Sequence, residues 1–67
     1  MMPVGSRHRF VGRLGLARRG LLVHVEDGGV WALHADADAT ALVGKRVKVD
    51  GTRSGFDRID VEWIAAA

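Results

Sequence analysis

The stretch Gly44-Lys45-Arg46-Val47-Lys48-Val49-Asp50-Gly51 does most to limit what this chain can fold into. Val47 and Val49 alternate with Arg46, Lys48 and Asp50, the period of two that a β-strand shows when one face is buried and the other meets water. A glycine stands at each end. Such a strand needs neighbours on its edges and an apolar layer under it, so the rest of the chain must supply other strands. With 67 residues there is material for one small domain, whose core supplies only about 3–5 kcal/mol unaided. No cysteine is present, which removes disulfides and thiolate metal sites from consideration.

Taken in order, the chain predicts five strands and one short helix. Residues 1–8 read as a flexible tail. Strand one is expected from Arg9 to Leu16, with Phe10, Gly12, Leu14 and Leu16 on one face; Gly12 and Gly15 within it suggest a bend or bulge. Ala17-Arg18-Arg19-Gly20 is a hairpin loop. Strand two, Leu21 to Glu26, has Leu21, Val23 and Val25 as its apolar set. Asp27-Gly28-Gly29 is a turn, and strand three, Val30 to His34, offers Trp31 and Leu33. A three-residue loop sets Val25 opposite Trp31 and Val23 opposite Leu33; a two-residue loop would set Trp31 opposite Glu26 and is rejected.

Residues 35–44 change pattern. Asp36 or Asp38 can cap a helix of about two turns, alanines suit its interior, and Gly44 suits the left-handed position after its end. Strand four is Arg46 to Asp50. The loop Thr52-Arg53-Ser54-Gly55-Phe56-Asp57 follows, then strand five, Arg58 to Ile64. Ile59, Val61 and Trp63 alternate there, and Ile64 breaks the alternation, so a late bulge turns either Trp63 or Ile64 inward. Residues 65–67 read as a second flexible tail, which leaves one domain over 9–64.

The order β-β-β-α-β-β is that of a five-stranded OB-like barrel, an all-β fold with one short helix. An SH3-like barrel is the alternative, ranked second because it usually lacks a helix at that point. The run from Gly44 to Asp57, with Trp31-Ala32-Leu33 before it and Asp60-Val61 after it, resembles a family of small proteobacterial proteins with an OB-like domain. The resemblance covers roughly residues 10–64. It implies the architecture and, because that family is itself of unknown function, no catalytic residue.

Charge is uneven. Arg7, Arg9, Arg13, Arg18 and Arg19 all precede the first acid, Glu26. In an OB-fold the face of strands two and three, with the loops between strands one and two and between four and five, commonly takes the ligand. Here those loops hold Arg18, Arg19, Arg53 and Phe56, an arginine-and-aromatic set suited to single-stranded RNA or DNA. Outward Arg9, Arg13, Arg46 and Lys48 extend a track for phosphates. Against this, the outward positions of strands two and three (Leu22, His24, Glu26, Val30, Ala32, His34) include no stacking aromatic. Leu22, Val30 and Ala32 instead form an apolar patch suited to a protein partner or a homodimer.

Catalysis is not expected. Ser54 in Gly51-Thr52-Arg53-Ser54-Gly55 sits one residue late for a nucleophile elbow, and Asp57 and Asp60 suit a turn and a salt link better than acid–base work. His24 and His34, with Glu26 near, make a weak metal site beside the plainer reading of solvated histidines. No cofactor is implied. The start of the chain lacks the apolar core of a signal peptide, and the longest strongly apolar run, Leu21-Leu22-Val23, is far too short to cross a bilayer. The expectation is a cytoplasmic protein with no membrane contact.

Overall fold

A computed structural model describes residues 5–18 and 20–67. Five strands, β1 (Arg7–Ala17), β2 (Gly20–Val25), β3 (Val30–His34), β4 (Arg46–Arg53) and β5 (Arg58–Ala66), form one sheet, and a 3-10 helix, Ala37–Leu42, joins β3 to β4. The pairing order is β1-β2-β3-β5-β4, and β1 pairs with β4 as well as β2, so the sheet closes on itself. All pairings are antiparallel except β3 with β5, which is parallel. Closure gives every strand a partner on both sides, which shortens the open edges that are the usual liability of a small sheet.

The double use of β1 is possible because of Gly12. Residues 7–13 face β4 and residues 12–17 face β2, so Gly12 is opposite Val47 on one side and Val25 on the other. A Cβ at Gly12 would collide with the backbone of His24, meeting its carbonyl oxygen and lying 2.8 Å from its carbonyl carbon. Only glycine permits that approach. Gly15 is less constrained, since its nearest neighbour is the Leu22 Cδ1 atom at 3.1 Å, the end of a movable side chain.

Leu14, Val23, Leu33, Val47, Val49 and Ile59 fill the interior, with Phe10, Trp31, Val61 and Ile64 packed around them. These are the inward members of each alternating set. Leu16 departs from expectation: near the end of β1, beyond the closed part of the sheet, it is 61% exposed.

The β2–β3 register also departs from expectation. Val23 is opposite Trp31, and Leu22 opposite Ala32. The hairpin closes where Val25 N–H donates to Gly29 O, with Gly28 and Gly29 both at positive φ. That is two residues off the anticipated pairing. A shift of two preserves which side chains face inward, so the apolar pattern alone could not separate the two registers.

β4 runs through Gly51 to Arg53 rather than stopping at Asp50. Gly51 is a buried strand residue whose absent Cβ leaves room for Ile59 and the backbone of Asp60. Opposite it, Asp50 pairs with Trp63 and Gly51 with Val61, so Glu62 is the extra residue of a bulge in β5. The bulge turns Ile64 inward opposite Val49 and leaves Trp63 53% exposed. β5 continues to Ala66, and Ala67 N–H donates to Arg46 O, so 65–67 continue the sheet contacts. β1 likewise starts at Arg7, within the stretch anticipated as tail, of which residues 1–4 lie outside the described residues.

The connecting helix is 3-10 and six residues long, and Asp36 at its N-cap makes no side-chain capping bond. Gly44 after it does adopt positive φ, at 87°. So short an element draws its stability from packing Ala39, Leu42 and Val43 rather than from its own hydrogen bonds.

Replacing Gly12 by alanine is expected to destabilise the fold by about 1–3 kcal/mol, as overpacking against backbone does. Gly15→Ala costs clearly less. Urea unfolding of the two variants checks the ranking.

Candidate binding cleft

A cleft opens where β2 and β3 meet the β1–β2 loop and the start of β5. One row across the sheet reads Gly15, Leu22, Ala32, Arg58 on β1, β2, β3 and β5. The last three of these line the cleft, while the Leu22 side chain lies over Gly15. The cleft has a volume of about 370 Å³; its apolar lining includes Leu22, Val30 and Ala32 with Leu21 and Leu33 from the core side, and its charged residues are Asp57, Arg18 and Arg58. The parallel β3–β5 pairing supplies the last of these. Ala32 N–H donates to Asp57 O (2.8 Å), which fixes the start of β5 beside β3, and Ser54 N–H donates to Arg58 O (2.9 Å), which closes the loop from β4.

Two sets of residues kept apart in the sequence, the basic loop and the apolar patch, therefore share one cleft. Arg18 and Arg58 are exposed and have no ion-pair partner among the described residues. Phe56 precedes Asp57 of the cleft wall and is 88% exposed, so it is not part of the core. Arg19 lies outside the described residues. Sequence reasoning missed Arg58. Its outward position follows from the alternation of β5, but its place next to Ala32 depends on a parallel pairing that no local pattern encodes.

Arg53 is placed differently. Its Nε donates to Gly55 O (2.7 Å) and its Nη2 to Phe56 O (2.8 Å), and its guanidinium lies 5.7 Å from the centre of the Trp31 ring. Trp31 in turn packs on Phe10 at 5.6 Å between ring centres. Arg53 thus ties the loop that carries Phe56 to the aromatic end of the core.

Four other arginines meet acids or carbonyls. Arg9 bonds to Asp50 (3.2 Å), and Arg7 to Glu62 (2.9 Å). Arg13 donates to Gly44 O, and Arg46 Nε to Glu26 Oε1 at 2.5 Å. The hydrogen bond from Arg46 holds the Glu26 carboxyl below its ordinary range and raises the guanidinium in return, so the pair stays ionised around neutral pH. Of the expected track, Lys48 alone has neither an acid nor a carbonyl partner among the described residues. The histidines are not brought together: His24 is opposite Val30, while His34 is opposite Asp60 on the other side of β3. Glu26 is already held by Arg46.

Among the described residues no helix is long and apolar enough to cross a membrane. A family model described as a protein of unknown function (DUF5818) matches residues 11–67. No curated protein and no solved structure matches the chain.

Arg53→Lys keeps the charge but cannot reach two carbonyls in a planar fork. The variant is expected to speed amide exchange at Ser54 and Ala32 while leaving Val47 and Val49 protected, as hydrogen exchange followed by NMR would register.

Proposed function

The chain belongs to the DUF5818 family, whose function is unknown, and we propose that it is a non-catalytic binding module, an OB-like barrel that takes single-stranded nucleic acid in the β2–β3 cleft. The observation that carries this reading is the pairing of two uncommitted arginines, Arg18 and Arg58, with an apolar cleft and a solvent-facing Phe56 beside it. Phosphates need cations that are not already neutralised, and bases need an exposed aromatic face. The strand order β1-β2-β3-β5-β4 and the helix between β3 and β4 support the OB-like description over the SH3-like one.

In this reading Arg18 and Arg58 contact phosphates, Phe56 stacks on a base, and Arg53 positions the Phe56 loop. Arg9 and Arg46 contribute little, because their charges are offset by Asp50 and Glu26, while Arg13 is held at the Gly44 carbonyl with its charge intact. A second reading, a protein partner or homodimer on the same face, is favoured by the aliphatic character of Leu22, Val30 and Ala32 and by the lack of a Phe, Tyr or Trp at the outward positions of β2 and β3.

Titration of a labelled single-stranded oligonucleotide at several salt concentrations separates the two. Binding should weaken with salt, and Arg18→Ala and Arg58→Ala should each lower the slope of log K against log salt by about 0.7. Phe56→Ala should cost about 1–3 kcal/mol, and Arg46→Ala should change little. No binding at low salt, together with a dimer in light scattering, would support the protein-contact reading instead.

A further inference from the structure

A second groove lies between β5 and the 3-10 helix and shares no residue with the cleft above. Its apolar lining includes Ala35, Ala39 and Trp63, and its rim carries Asp36 and Asp38. The β5 bulge creates it: the extra residue, Glu62, reverses the alternation, so Ile64 enters the core and the indole of Trp63 is left 53% exposed. Bulges commonly re-aim a side chain at a functional surface. A half-exposed tryptophan in a groove is large apolar area left uncovered by the chain's own packing.

We propose that this groove docks a cationic segment of a partner protein, with an arginine of that segment stacked on Trp63 and paired with Asp36 and Asp38. Charge complementarity selects the occupant. The side chain of Asp36 makes no capping bond, and neither Asp36 nor Asp38 has an ion pair among the described residues. Glu62, also in the groove, is already engaged by Arg7 and Thr52. Two uncommitted carboxylates beside an indole face match a guanidinium, which stacks flat on the ring while its N–H groups reach both acids. An ammonium is a poorer match, being compact and more strongly hydrated. The attraction is local: the chain has 10 basic residues against 8 acidic ones and a formal charge of +2, so the molecule as a whole repels a cationic peptide. The proposal uses neither Arg18, Arg58 nor Phe56 and stands apart from the nucleic-acid reading.

The test is a titration of the full chain with the capped peptide acetyl-Gly-Arg-Gly-Arg-Gly-amide, followed by NMR. The two indole N–H signals report Trp31 and Trp63 separately. The Trp63 signal should shift and saturate while Trp31 stays in place, and the lysine analogue should bind more weakly. Asp36→Asn with Asp38→Asn should weaken binding by up to about tenfold, the loss of two exposed ion pairs with the stacking on Trp63 retained. Both substitutions are on the surface, and unchanged amide dispersion verifies the fold. No saturable Trp63 shift, or equal affinity in the double asparagine variant, would overturn the proposal. So would a Trp63 signal that moves with protein concentration alone, because the occupant would then be a second copy of the chain.

Discussion

One strand, β1, holds two neighbours at once, and the rest of the molecule depends on that. Its first half pairs with β4 and its second half with β2, and the exchange happens at Gly12 and Arg13, which face both. A backbone can pass this close to His24 only where no Cβ intervenes. Because β1 closes the ring, β5 lies between β3 and β4 and meets β3 in parallel. That parallel contact brings Arg58 beside Ala32 and completes the cleft. A core of six buried aliphatic side chains is small, and ring closure allows all five strands to share it.

Charge on this surface is better understood as pairs than as a sum. Arg7 and Arg9 meet Glu62 and Asp50, and Arg46 meets Glu26. Exposed pairs of this kind add little stability. Their larger effect is on binding, since an arginine already facing a carboxylate offers less to an incoming phosphate. Among the charges without an ion-pair partner in the described residues, two pairs stand in clefts of opposite sign. Arg18 and Arg58 belong to the β2–β3 cleft, and Asp36 and Asp38 to the groove beside Trp63.

The strands were legible in the sequence because each is an alternating run, and alternation survives any even shift in register. For the same reason the β2–β3 pairing was not: the hairpin Val25–Gly29 closes two residues from the expected position with the same faces inward. Leu16 fits the alternation of β1 and is exposed all the same, since periodicity does not say where the neighbouring strands end. The irregular end of β5 was visible as Ile64 out of step, but only the pairing of Asp50 with Trp63 and of Gly51 with Val61 decides which residue turns inward. At the site, Arg18, Phe56 and the Leu22–Val30–Ala32 patch could be found from loop position and alternation. Arg58 could not, nor could the pairing of Arg46 with Glu26 across 20 residues. Both depend on which strands become neighbours.

The contact between β3 and β5 is therefore the part of the structure on which the cleft rests. Nuclear Overhauser effects in the full chain measure it directly. The account predicts backbone cross-peaks linking Ala32 with Asp57 and Arg58, and Leu33 with Ile59, in the pattern of parallel strands. Their absence, with β3 pairing to β2 alone, would remove Arg58 from the cleft and contradict the account.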